Sequence, residues 1–121
     1  MRVRRLIAAL LTAASLWAGT AGTAKARVIR ISTELMAFTP ASVDAQVGDR
    51  IVWSNGGDVR HEVYFPVDPQ GRGRRNLRFI LRNGHEVSLE LTMPGDFVYF
   101  CRWHDMQGII HVFPRRQPPP S

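Results

Sequence analysis

Short runs of Val, Ile, Phe, Tyr and Trp recur over residues 27–113, and turn-forming residues separate them at the spacing of a β-sandwich. Residues 27–34 hold Val28-Ile29-Arg30-Ile31, and Ala45-Gln46-Val47 leads through Gly48-Asp49 into Arg50-Ile51-Val52-Trp53. After Asn55-Gly56-Gly57-Asp58 come runs at 62–65, 79–81 and 85–91. Pro94-Gly95 then turns the chain into 96–101, and 108–113 makes the last run. No stretch keeps a helical period over three turns. The pattern predicts an all-β fold, a Greek-key β-sandwich of about seven to eight strands.

Strand side chains alternate between two faces, so each run can be split into an inward and an outward row. Phe97, Tyr99 and Cys101 share an apolar face, which predicts that they point inward and that Val98 and Phe100 point out. In the run that starts at His61, His61, Val63 and Phe65 share one face while Glu62 and Tyr64 share the other. Cys101 therefore ends an inward row and His61 begins one, which lets the two meet at one end of the sandwich.

The first 26 residues read differently. The basic segment Met1-Arg2-Val3-Arg4-Arg5 precedes an apolar stretch over 6–18, and Ala24-Lys25-Ala26 has the small-x-small form of a cleavage site. The stretch is rich in Ala, Thr and Gly, less apolar than a span of about 20 residues requires. Residues 1–26 are thus expected to be a secretory signal peptide, cleaved near Ala26, that sends the chain to the periplasm. Its arginines match a twin-arginine signal only in part, which leaves the export route open. Residues 27–113 are the expected domain, and 114–121 an extended tail rich in Arg and Pro.

Charge excludes one class of function. The formal charge of the full chain is +6, but Arg2, Arg4, Arg5 and Lys25 supply four of those charges, which leaves +2 after cleavage. Without a basic helix, a phosphate-cradling loop or an RNA-binding aromatic signature, a nucleic-acid partner is not expected. Arg72, Arg74, Arg75, Arg78 and Arg82 form the one clear cluster. Such a run is either a solvated loop or a means of steering an acidic partner.

Candidate chemistry concentrates around the single cysteine. Cys101 has no disulfide partner within the chain, and a free thiol in an oxidising compartment needs a reason to persist. His104 and Met106 follow it closely, and His61 comes just after the Gly-Gly turn. A thiolate, two imidazoles and a weak thioether make the donor set of an electron-transfer copper, with three strong donors in a plane and the thioether on the axis. His85 and His111 have no partner at ligand spacing and are expected at the surface. Met36 and Met93 are expected to be packing residues. Trp103 is expected near the rim of the site, as a docking contact or folded inward as packing.

These residues resemble the cupredoxins, the type 1 blue copper family, and among them small members such as plastocyanin, pseudoazurin and amicyanin. The resemblance begins at Phe38-Thr39-Pro40 and continues from Val47-Gly48-Asp49 through Trp53-Ser54-Asn55 to His61. It resumes at Pro94-Gly95-Asp96-Phe97-Val98-Tyr99-Phe100-Cys101, followed by His104, Met106, Gly108 and Ile110. It implies one copper ion per chain, held by His61, Cys101 and His104 with Met106 axial. It also implies a monomeric electron carrier that meets redox partner proteins, not an enzyme. Two departures stand out: only Asp105 separates His104 from Met106, where the family has a longer spacing, and Glu62 follows His61 where several members place an Asn that ties the ligand loops together. The alternatives are a periplasmic copper-handling protein and, from another class, a small zinc hydrolase in which Glu62 or Asp105 would be the base.

Overall fold

Eight strands form where the apolar runs predict them: β1 (Val28–Ser32), β2 (Ser42–Gln46), β3 (Arg50–Ser54), β4 (His61–Phe65), β5 (Leu77–Leu81), β6 (Glu86–Glu90), β7 (Gly95–Cys101) and β8 (Met106–Phe113). The computed structural model describes residues 25–116. Residues 1–24 of the expected signal peptide and 117–121 of the expected tail lie outside the described residues. One sheet has the order β1-β3-β6 and the other β2-β8-β7-β4-β5. β1 runs parallel to β3 and β2 to β8, and the remaining neighbours are antiparallel. The chain changes sheet repeatedly, as between β1 and β2, β2 and β3, and β3 and β4, which is the connectivity of a Greek-key sandwich.

The two alternating rows behave as expected. Phe97, Tyr99 and Cys101 on β7 are buried, as are His61, Val63 and Phe65 on β4. Between the sheets Trp53, Phe65 and Tyr99 are fully buried and pack edge-on or tilted, with ring centroids 5.3–5.9 Å apart. Phe38 closes on Tyr99 at 4.6 Å. Burial pushes the Tyr99 phenol up to about 12, against a smaller opposing effect of Trp53, so it stays neutral beneath Cys101.

Three expectations need correction. β2 starts at Ser42, earlier than its apolar signal at Ala45, because only Val43 and Ala45 of this strand face the core. Met36 and Met93 are not packing residues: they are 47% and 37% exposed, and the aromatic rings fill the core in their place. Met36 belongs to a single 3-10 turn (Glu34–Met36) in which Leu35 and Met36 take φ of 59° and 57°.

Gly108 shows how closely the core is filled. It lies directly across from Tyr99 in the β7–β8 register, and a Cβ there would collide with the Tyr99 ring. Its backbone is ordinary strand, so glycine is required for space and not for conformation. Gly108→Ala is therefore expected to lower the unfolding free energy of the metal-free protein by about 1–3 kcal/mol, the usual cost of overpacking. Denaturant unfolding measures this, and an unchanged midpoint would mean that the ring can move aside.

Candidate metal centre

His61 is the first residue of β4 and Cys101 the last of β7, and antiparallel pairing of these strands brings both to one end of the sandwich. His104 lies in the four-residue turn from β7 to β8. One donor atom from each of the three lies within 4.8 Å of the others. Cys101 Sγ and His104 Nδ1 are 3.5 Å apart, and the two imidazoles stand nearly perpendicular with centroids 5.1 Å apart. Cys101 and His61 are buried and His104 is half-buried.

The residues fit a metal on an independent ground. Nδ1 of His61 is buried without a hydrogen-bond partner, a condition that costs about 1–3 kcal/mol unless something satisfies it. Burial, and then the neighbouring His104, lower the pKa of His61, so the ring favours the neutral form that a metal ligand needs. A soft sulfur and two imidazole nitrogens converging in this way suit copper.

The short loop still brings Met106 to the same place. Met106 opens β8 directly opposite Cys101, and directly paired residues carry their side chains to the same face. The side chain is buried. Asp105 makes the turn possible by taking φ of 54°, a left-handed conformation that Asp tolerates better than most residues.

Glu62 supplies the tie between the two strand ends. Its backbone N–H donates to Cys101 Sγ at 3.4 Å. Its side chain is on the outer face yet fully buried, because arginines cover it. Arg102 donates Nε to Oε1 and Nη2 to Oε2, each at 2.9 Å, and its backbone N–H reaches Oε1 at 3.4 Å. Arg78 Nε donates to Oε2 as well. The Arg102 guanidinium lies over the Tyr64 ring at 3.8 Å, and Trp103 is flanked by Arg60 at 5.1 Å and Arg78 at 5.7 Å. The Arg102 hydrogen bonds, aided by Arg78 and opposed by burial, hold the Glu62 carboxyl down to about 2. A residue next to His61 is thus fastened to a residue next to Cys101.

Asn55 does the same for the loop before β4. It is 2% exposed and donates Nδ2 to the carbonyls of Val59 (2.7 Å) and Leu81 (3.2 Å), while its Oδ1 accepts the Gly57 N–H. The sequence marks Asn55 as a turn residue within the resemblance and Glu62 as an outward-facing departure from the family's Asn, but not that either side chain clamps the loops. The pairing of β4 with β5 sets Arg78 diagonally across from Glu62, and no local pattern encodes that register.

The arginine cluster divides. Arg72, Arg74 and Arg75 lie on the β4–β5 loop, at the end of β4 away from His61. Arg74 is paired with the buried Asp68 at 2.9 Å, and Arg78 with Glu62. Trp103 is 41% exposed, at the rim and not packed inward. His85 is exposed, and His111 pairs with Asp96 at 2.7 Å.

Residues 25–113 match the family described as copper binding proteins, plastocyanin/azurin family. The chain is 26% identical over 80 residues to a chloroplastic plastocyanin of Tetradesmus obliquus, covering 62% of this chain and 55% of that protein. It is 28% identical over 113 residues to the chloroplastic plastocyanin minor isoform of Arabidopsis thaliana, covering 86% of this chain and 65% of that protein. The chain thus spans less than two thirds of these relatives' length. Among solved structures it is similar to a Cu(I) form of an amicyanin variant, with 25% identity and a TM-score of 0.65 over 77% of this chain and 88% of that one.

The Glu62 ion pair makes a signed prediction about acid stability. Its folded pKa lies below the ordinary value of 4.5, so its contribution is fully present above that value and is lost as pH falls towards about 2. In the metal-free protein Glu62→Gln is expected to flatten this acid-side loss and to cost about 1–3 kcal/mol near neutrality. Melting temperatures of the two proteins across that pH range test it, and parallel curves would mean that the pair contributes nothing.

Proposed function

The chain belongs to the plastocyanin/azurin family of copper-binding proteins, and from that premise we propose that it is a one-electron carrier of the periplasm rather than an enzyme. His61, Cys101 and His104 would hold one copper, with the Met106 thioether as a further, weak donor. The observation that carries this reading is the convergence of a buried thiol and two imidazoles within 4.8 Å, beside an unpartnered His61 Nδ1. Copper bound in such a set alternates between Cu(II) and Cu(I) and so carries one electron.

The chain's own residues account for the rest. The Glu62 N–H directed at Cys101 Sγ stabilises negative charge on sulfur. The Glu62–Arg102 pair and the Asn55 hydrogen bonds hold the donor-bearing segments in one arrangement, so little has to move when the charge changes. His104 is the donor nearest solvent, and the exposed Trp103 beside it offers a route for the electron and a contact for a redox partner protein. Full burial of Cys101 favours retention of the metal over delivery, which disfavours the copper-handling alternative. Glu62 is unsuited to be the base of a hydrolytic role, since two guanidiniums engage it and hold its carboxyl at about 2.

Export rests on the signal peptide read in residues 1–26. Among the described residues no helix is long and apolar enough to cross a membrane. Residues 27–113 would be the working domain, acting as a monomer.

Voltammetry of the copper-loaded protein is expected to give a reversible one-electron couple. Met106→Leu should keep the intense thiolate-to-copper band and raise the potential, because an apolar site without the thioether disfavours Cu(II). A variant unchanged in both would remove Met106 from the ligand set. Rapid surrender of copper to a Cu(I) chelator would favour the copper-handling alternative.

A further inference from the structure

The antiparallel pairing of β4 with β5 sets His61 opposite Leu81. The residues just beyond that pair, Arg60 and Arg82, are thereby brought side by side at the metal-binding end. With Asp58, Asn83 and His85 they line an open groove. Like charges placed opposite one another destabilise a strand pair, so the frame has to hold them there. Asn55 provides the frame: its Nδ2 binds the carbonyls of Val59 and Leu81, the residues immediately before the two arginines. Its backbone N–H donates to the His85 carbonyl at 3.0 Å and its carbonyl accepts the Gly84 N–H at 2.6 Å. Asn83 Nδ2 donates to the Asp58 carbonyl at 2.7 Å, closing the groove's two walls on each other.

These two arginines differ from the others near the site. Arg78 and Arg102 share the single Glu62 carboxylate, and Arg74 is paired with Asp68. Among the described residues neither Arg60 nor Arg82 makes an ion pair, and Asp58 is the one carboxylate in the groove lining. Arg60 also lies against Trp103, so the groove is continuous with an exposed aromatic ring next to His104. Preformed guanidinium forks suit carboxylates, which they can bind bidentately, and uncompensated charge at the end where electrons leave would steer and orient an anionic encounter.

We infer that the Arg60–Arg82 groove is a docking site for the carboxylates of an acidic surface on a redox partner protein, with Trp103 as the adjoining apolar contact. The inference rests on the electron-carrier reading for the partner's role, but the binding it describes needs no electron transfer. It also moves the steering charge from Arg72, Arg74 and Arg75 on the distant loop to the metal-binding end.

Amide chemical shifts of the copper-loaded protein, reduced so that it is diamagnetic, test this during titration with an oligoglutamate peptide at low ionic strength. The shifts are expected to cluster at residues 58–60, 82–85 and 103 and to fade with added salt. The double variant Arg60→Glu, Arg82→Glu should weaken the peptide by about tenfold or more, the scale on which focused charge acts. Arg72→Glu with Arg75→Glu should leave binding intact. Shifts centred on the 72–75 loop, or a Arg60/Arg82 variant that binds as the parent does, would overturn the assignment. Tighter binding of a single-stranded oligonucleotide of equal charge would also overturn it, in favour of a nucleic-acid site. Voltammetry on the same samples separates the two claims: loss of a copper couple would refute the carrier reading while the shifts still decide the docking site.

Discussion

An ionised carboxylate buried on the outer face of a sheet is costly, and Glu62 persists there only because two guanidiniums and a backbone amide meet it. The pairing can form only when the start of β4 and the end of β7 lie in register, since Glu62 adjoins His61 and Arg102 adjoins Cys101. The same residue directs its amide at the Cys101 sulfur. One buried charge therefore fixes the spacing of two candidate metal donors and the electrostatic setting of one of them. The tie that the resemblance ascribes to an Asn in several members is made here by an ion pair.

The consequences spread outward from that pair. Arg102 is held flat on Tyr64, and Arg78 is held against Trp103, which keeps the ring at the surface beside His104. Inward, the row that ends at Cys101 continues to Tyr99, whose ring covers Gly108 and packs on Trp53, Phe65 and Phe38. The donor end thus rests on a close-packed aromatic core below and an ion-pair network at its side. Such a frame resists rearrangement, and resistance to rearrangement is what a site that changes charge without changing shape requires.

Much of this was legible in the residue pattern. Period-two alternation placed Cys101 and His61 on inward rows and at one end before any pairing was known. The cysteine's isolation and its spacing to His104 and Met106 pointed to the donor set. What escaped depends on register, which the chain does not spell out locally. Glu62 is buried because Arg78 lies diagonally across from it, and Arg60 and Arg82 meet because His61 pairs with Leu81. Five arginines close together in sequence read as one cluster, although β4 and β5 carry them to opposite ends of the sandwich. Met36 and Met93 are exposed for a related reason: hydrophobicity marks a residue as fit for the core, but only the fold decides whether it reaches it.

The proposed copper site is a clamped, buried thiolate and two imidazoles in one compact arrangement. Electron paramagnetic resonance of the Cu(II)-loaded protein, recorded with its visible spectrum, tests it most directly. A narrow hyperfine splitting together with an intense sulfur-to-copper absorption band is the predicted result. A wide splitting of ordinary Cu(II) with a pale solution would contradict it, because copper would then be held without the Cys101 sulfur.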